Sequence, residues 1–371
     1  MQVSDISSLS AQVLWASFIF SFIFGAIAQR THFCTMGAVS DIVNMGDWMR
    51  MRQWALAAGV AMLGFGALVW LGKVDPTKTL YASGRVMWLS ALVGGAMFGF
   101  GMVLASGCGS KTLVRIGGGS LKSTVVFIVM GIAAFATLKG ITAVVRVSSV
   151  DAVAFASVAP SSVASVSGAV LGVSAQFAQL IAALVVGGGL LLWVALRRDF
   201  WTLENVLAGF GIGAVITLMW WASAVLGYVP EHPDTLQEAF LTTNSGRAEA
   251  LSFVAPTAYV LDWLMFFSDK TKVITLGIAS VFGVVLGSAV MALVTRSFRW
   301  EGFGGTEDVA NHLGGAVLMG VGGVTSIGCT VGQGLSGIST LSITSFIAVA
   351  AIMAGAVAAL RYQMWRLERM A

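Results

Sequence analysis

Gly328-Cys329-Thr330-Val331-Gly332-Gln333-Gly334-Leu335-Ser336-Gly337 places a thiol inside a run of glycines where an apolar segment should be crossing a membrane. Glycine in a helix interior costs about 1 kcal/mol relative to alanine, and polar Thr330, Gln333 and Ser336 stand between the glycines. The backbone is expected to break here. Non-helical backbone at membrane depth is tolerated only where it packs in protein or lines a polar cavity, so the break points to a site inside a helical bundle. Cys329 would sit in that site.

The rest of the chain fits a membrane setting. Its 371 residues are 57% hydrophobic and 10% charged, with a mean hydropathy of +0.88. Soluble domains carry about 25% charged residues. The expected fold class is therefore all-α, a polytopic membrane helical bundle in a single domain over 1–371. The 45 glycines are many even for a bundle that uses small residues for close helix contact. The first ten residues hold Asp5 but no Lys or Arg, and the apolar run that follows lacks an Ala-x-Ala cleavage site. That reads as a first membrane helix rather than a removed signal peptide. Arg50, Arg52, Lys111, Arg115, Arg197, Arg198, Arg361, Arg366 and Arg369 flank apolar spans, which suits a lipid bilayer as partner and gives no nucleic-acid patch. The C-terminal arginines suggest a cytoplasmic end.

Apolar spans run over 11–29, 53–72, 86–106, 124–138, 168–196, 205–229, 273–295, 311–327 and 340–360. About nine spanning helices are expected. A full crossing needs about 20 residues, so the short 124–138 run and the glycine-rich stretches near each cysteine suggest additional half-length helices. Residues 146–167, rich in Ser, Val and Ala, read as an external loop or interfacial piece, and 230–247 as an acidic solvent loop. Residues 255–267 are too short to cross and read as interfacial.

An internal repeat accompanies the break. Gly99-Phe100-Gly101-Met102-Val103-Leu104-Ala105-Ser106-Gly107-Cys108 aligns without gaps to Gly320-Val321-Gly322-Gly323-Val324-Thr325-Ser326-Ile327-Gly328-Cys329, at the constant Cys108-to-Cys329 offset. Upstream, Leu92-Val93-Gly94-Gly95-Ala96 matches His312-Leu313-Gly314-Gly315-Ala316 after a one-residue gap. A weaker match pairs Arg30-Thr31-His32-Phe33-Cys34 with Arg296-Ser297-Phe298-Arg299-Trp300, putting a tryptophan in the place of a thiol. Two pseudo-symmetric repeats are expected, roughly 11–140 and 273–365, with intervening helices in 168–229. Secondary transporters are often built this way, with the site where broken helices meet. Cys108 and Cys329 would then face each other.

All three cysteines end apolar runs beside glycine: Phe33-Cys34-Thr35-Met36-Gly37, Ser106-Gly107-Cys108-Gly109-Ser110 and Ile327-Gly328-Cys329-Thr330. An odd number of cysteines without a Cys-x-x-Cys excludes a complete disulfide framework. Cysteine also fills space between helices, but three in one kind of context argue for a site. Glycines free backbone N–H groups and helix N-termini add positive charge, which suits an anion. A thiol is a weak donor and a polarizable atom. Together they suit an oxyanion that carries a soft sulfur.

On this reading Gly107, Gly109 and Gly328 let the backbone break and approach the ion, and Thr330 and Gln333 supply polar contacts or, for Gln333, a backbone brace. Lys111, with Arg115 one turn on, could draw the anion inward; an anchoring role at lipid headgroups is the alternative for both, and for Arg30. His32 reads as interfacial, and His312, near Asn311 and Asp308, as a cap or brace. With the 17 methionines scattered, no metal site and no cofactor is expected.

At the three cysteine motifs the sequence resembles the YeeE/YedE family of bacterial inner-membrane proteins, specifically its thiosulfate uptake transporters. The resemblance covers nearly the whole chain and is most specific at Gly328-Cys329-Thr330-Val331-Gly332-Gln333-Gly334. It implies two pseudo-symmetric halves in an hourglass-shaped protein, with shorter helices meeting at a central constriction. It further implies that thiosulfate passes Cys34, Cys108 and Cys329 through S–H···S and S–H···O contacts, and it leaves room for a cytoplasmic sulfur-accepting protein. Some relatives are associated with selenium or other sulfur compounds. Residues 146–167 and the loop after Pro230 lie outside the resemblance.

The rival class is an enzyme, a membrane sulfurtransferase whose cysteine takes the outer sulfur as a persulfide. Such a nucleophile is usually a thiolate activated by a neighbouring base or cation, and no histidine adjoins Cys108 or Cys329 in sequence. A scaffold protein would not require glycine beside each thiol. The transporter is the reading carried forward.

Overall fold

The computed structural model describes residues 3–156, 162–233 and 235–370. Fifteen helices follow in order: α1 Val3–Thr31, α2 Thr35–Met45, α3 Met49–Trp70, α4 Trp88–Leu104, α5 Gly109–Gly117, α6 Leu121–Lys139, α7 Ile141–Ser148, α8 Val163–Leu171, α9 Ala175–Ala195, α10 Leu203–Val206, α11 Ile212–Trp221, α12 Val254–Met265, α13 Leu276–Val294, α14 Thr306–Thr325 and α15 Ile343–Met370. Helices α10 and α11 join through π-helical turns into one span, Leu203–Leu226. Sheet is limited to two antiparallel pairs among the described residues, β1 Arg85–Val86 with β2 Phe155–Ala156 and β3 Tyr228–Val229 with β4 Ala239–Phe240.

Eight of the described helical segments are long and apolar enough to cross a bilayer, so the chain is a multi-pass membrane protein. The remaining expected crossing, 311–327, is α14, whose first turn carries Glu307 and Asp308. Ile128, Ile132, Leu184, Val185, Leu286 and Val290 lie exposed on helix faces, as lipid contact requires. Trp48, Trp70, Trp201 and Trp365 stand exposed near helix ends, where indole rings favour the membrane–water boundary.

Two expectations change, and a third gains detail. The short 124–138 run is the greater part of a 19-residue helix, because Ser120 caps α6 by accepting the Ser123 N–H and polar residues form its first turn. Residues 255–267 are not interfacial. Helix α12 buries Pro256, Thr257, Ala258, Val260 and Asp262, and its Thr257 and Leu261 press on Gly131 of α6. The 146–167 stretch begins in α7, which has no buried residue, and resumes as α8; residues 157–161 lie outside those described.

Glycine sets how closely the long helices approach. A Cβ on Gly99 would stand 2.0 Å from the Ile352 carbonyl oxygen of α15, and one on Gly320 would stand 2.5 Å from the Met130 oxygen of α6. Between α4 and α14 the contacts are reciprocal: Gly94 lies against Gly322, and Gly101 against Gly315. Gly94 stands to Gly315 as Gly101 does to Gly322, at the Cys108-to-Cys329 spacing, so no gap is needed upstream. With backbones touching, dispersion and small residues hold the crossing where lipid offers no hydrophobic drive.

Helices that stop inside this bundle stop alike. Ser106 and Gly107 donate to Val103 and Met102 oxygens at the end of α4, and Ile327 and Gly328 donate to Val324 and Gly323 oxygens at the end of α14. These are Schellman caps, with the left-handed position taken by Ser106 (φ 55) and Ile327 (φ 59) rather than by glycine. His32 (φ 53) occupies the same place after α1. Two residues beyond each comes a cysteine, and then a short element: α2, α5, or the π-helical turn Gly332–Gly337.

Candidate functional site

Each cysteine stands where a helix begins. Cys34 is the N-cap of α2 and its sulfur accepts the Gly37 N–H at 3.4 Å. The Cys329 sulfur accepts the Gly332 N–H, also at 3.4 Å. Cys108 occupies the N-cap position of α5 without a side-chain cap hydrogen bond, its sulfur turned toward the Lys111 N–H. All three thiols thus meet the backbone N–H three residues on. A helix start leaves donors unpaired and carries partial positive charge, so these positions favour negative charge.

Cys108 and Cys329 are fully buried and Cys34 nearly so. The Cys108 thiol faces Cys34, the Ser110 hydroxyl at 3.3 Å and the Thr330 hydroxyl. The direct thiol pair is therefore Cys34 with Cys108, not Cys108 with Cys329. Cys329 lies on the far side of its neighbour Thr330, among the backbone N–H groups of Val331, Gly332 and Phe253. The cause is the pairing of short elements: the N-terminus of α5 meets that of α2, and the π-helical turn meets the N-terminus of α12. Phe253, the N-cap of α12, brings its backbone N–H to the Cys329 sulfur. Trp300 takes no part, being 73% exposed.

The other expected residues fall around these thiols. Thr330 Oγ1 and Gln333 Oε1 are buried with no hydrogen-bond partner, while Gln333 Nε2 donates to the Ser326 oxygen and braces the turn before Cys329. Lys111 arches over Gly107 and brings its charge near Cys34 and Cys108, alongside Arg50 and Arg115. Arg115 Nη1 donates to the Ser106 oxygen at 2.8 Å, which ties it to the turn rather than to lipid. Neither Gly107 nor Gly328 has a positive φ. What they provide is room: a Cβ on Gly328 would stand 3.1 Å from Gln333 N, and one on Gly107 would stand 3.2 Å from Lys111 Cγ. Gly109 opens α5, and a Cβ added there would meet Phe253 Cβ at an unstrained 3.7 Å. His312 braces the start of α14, its Nδ1 lying 2.8 Å from the Asp308 oxygen.

On the side of Ile327 and Gly328 away from Cys108, two cavities of about 180 and 290 Å³ share Leu80, Ser245 and Ile327 in their walls. One lobe reaches Gly328 and is lined by Arg146, Glu249 and Tyr259; the other reaches Gln333 and is lined by Arg247, Tyr81 and Thr344. On the opposite side of the thiols, exposed His32 follows α1, and the Lys111 and Arg50 charges lie nearby. The cavities thus approach the Cys329 turn, and the cationic cluster approaches Cys34 and Cys108. Ser110, Phe253, Tyr81 and Glu249 were not anticipated. Only Ser110, two residues past Cys108, left a local signal.

Comparison with known proteins finds one family model and several relatives. The family model described as sulphur transport matches residues 30–358. The chain is 27% identical over 323 residues to a thiosulfate transporter, TsuA, of Escherichia coli strain K12, covering 84% of this chain and 83% of the relative. A second thiosulfate transporter TsuA, from Spirochaeta thermophila, is 25% identical over 346 residues, covering 91% and 94%. A probable transporter, YedE of Escherichia coli strain K12, matches at 28% over 112 residues, 30% of this chain and 26% of the relative.

Proposed function

Because the chain belongs to the sulphur-transport family, we propose that it imports thiosulfate across a bacterial inner membrane, relaying the intact ion past Cys329, Cys108 and Cys34. The observation that carries this reading is the convergence of three thiols on the starts of short helical elements, between an outer vestibule and a cationic inner mouth. Thiosulfate has a soft terminal sulfur and three hard oxygens. The thiols offer S–H donors to the one, and the helix-start N–H groups and the Thr330 hydroxyl offer donors to the others. Lys111 then draws the dianion toward the inner side.

The fold reading follows the same line. Reciprocal Gly94–Gly322 and Gly101–Gly315 contacts support two halves related by an approximate two-fold axis through the α4–α14 crossing. Ion pairs Arg30–Glu204, Lys122–Glu301 and Arg366–Glu307 connect one rim, which also carries Arg197, Arg299 and Arg369. By the positive-inside rule that rim is cytoplasmic. The vestibule, whose wall includes Arg247 and Ser245, then opens outward. A cytoplasmic sulfur-accepting protein would dock at the basic rim.

Purified protein in liposomes should take up radiolabelled thiosulfate, and sulfate should compete poorly. Sulfate shares the charge and shape but replaces the soft sulfur with a hard oxygen, so a roughly tenfold excess should lower uptake by less than half. Complete inhibition by an equal concentration of sulfate would leave simple anion capture as the better account.

A further inference from the structure

Glu249 lies in the wall of the outer vestibule, between the solvent side at Ser245 and the Ile327–Gly328 turn. Among the described residues it forms no ion pair; its Oε1 accepts the Ser245 N–H at 2.9 Å, and the Ser245 hydroxyl and the Asn244 N–H also face the carboxyl. Its own N–H donates to Ser223 Oγ, which fixes the backbone and leaves the carboxyl facing the cavity. The groups around it are Tyr81 from the 79–83 segment, Tyr259 from α12 and Arg146 from α7. Arg146 is engaged with Asp151, and Arg247 donates to the Ala82 oxygen in the neighbouring lobe. Tyr81 couples this corner to the thiols, since its hydroxyl donates to the Gly332 oxygen at 2.6 Å and its ring lies within reach of both Glu249 and Cys329.

A carboxylate with neutral donors but no cation paired to it, beside the proposed route of a dianion, presents a contradiction that charge alone decides. As a carboxylate, Glu249 repels the ion. As a carboxylic acid it is neutral and has an O–H to donate to a sulfonate oxygen. Enclosure already pushes the Glu249 carboxyl above its ordinary value, because the vestibule wall disfavours its charged form. Arrival of a dianion pushes in the same direction.

We infer that Glu249 is a further substrate-binding residue, one that meets thiosulfate as a carboxylic acid by taking a proton from the outer solution as the ion arrives. The proton returns to that solution when the ion moves on to Cys329, so charge and protons balance without net proton import. This rests on the transport reading above.

The consequence is a pH-dependent affinity with a defined sign. Below the carboxyl's pKa in the empty vestibule the acid is already formed, and KM is flat. Above it each binding event must capture a proton, so KM rises by up to about tenfold per pH unit. Thiosulfate itself stays a dianion over this range. In liposomes holding the protein, the wild type should show this rise as external pH is raised above the ordinary carboxylate range. Glu249→Gln should hold the low-pH KM throughout, and Glu249→Asp should keep the rise. Adding thiosulfate to weakly buffered purified wild-type protein should also make the solution more alkaline, a readout that needs no variant. A wild-type slope in Glu249→Gln, or thiosulfate binding without proton uptake, overturns the assignment while leaving thiosulfate transport standing. Absence of thiosulfate uptake by the wild type at every pH would overturn the transport reading, and this one with it.

Discussion

Cys108→Ala is expected to lower thiosulfate uptake by roughly 10–100-fold at matched membrane levels. Hydrogen bonds to charged groups are worth about 1.5–3 kcal/mol, and each 1.4 kcal/mol is about tenfold. Cys108 stands at the centre of the proposed relay, with Cys34 on one side and Thr330, the neighbour of Cys329, on the other. No other side chain replaces its sulfur. Packing alone predicts something different: losing one buried atom costs about 1 kcal/mol of stability, which shows in expression or thermal midpoint rather than in transport. Cys108→Ser separates the two contributions. It keeps a donor but not the polarizable sulfur, so its uptake should fall between alanine and wild type. Initial rates in whole cells, normalised to membrane protein, check this. Near-normal uptake by the alanine variants at 34, 108 and 329 would rule out a thiol pathway.

Gly328→Val is expected to reduce uptake to background while the protein still inserts. The first added carbon would sit 3.1 Å from Gln333 N and 3.3 Å from Gly332 C, both main-chain atoms of the turn that Cys329 begins. Backbone cannot swing aside, and valine adds two further methyls; overpacking of this kind costs about 1–3 kcal/mol. The turn that aims the Cys329 sulfur would move. Gly107→Val meets a softer obstacle, because the nearest atoms belong to the Lys111 side chain. Lysine can adopt another rotamer, so uptake should drop only several-fold. The two glycines are equivalent in sequence but not in surroundings. Equal loss at both would mean that the turns tolerate nothing at all, and valine tolerated at both would mean that the site lies elsewhere. Parallel uptake and detergent-extracted monodispersity measurements distinguish these results.

Much of this architecture is legible in the sequence because lipid constrains it so strongly. A glycine run with a thiol at membrane depth has few solutions, and the break at Gly328–Gly337 is where the glycines put it. What was not legible follows from tertiary contact. Glycine is the usual signal for a left-handed cap, yet Ser106 and Ile327 take that conformation here, held by paired Schellman hydrogen bonds that no composition reveals. Which thiols meet depends on how α2, α5, α12 and the π-helical turn converge, and Phe253 shares no local motif with Cys34. The segment leading to α12 has no helical period, and its one glycine, Gly246, adjoins no cysteine, so Glu249 and Phe253 remained hidden. Burial of α12 was missed because its length suggested an interfacial helix, whereas its apolar face is covered by α6.

The central claim is that thiosulfate crosses whole, touching thiols without leaving its outer sulfur on any of them. The direct test is uptake of thiosulfate carrying different isotopes on its two sulfurs, into cells or liposomes in which this protein is the sole route. Both labels should appear inside in the ratio supplied, and denatured protein recovered afterwards should carry neither. Outer-sulfur label retained on the denatured chain, with the inner sulfur released as sulfite, would contradict the account and identify a sulfurtransferase.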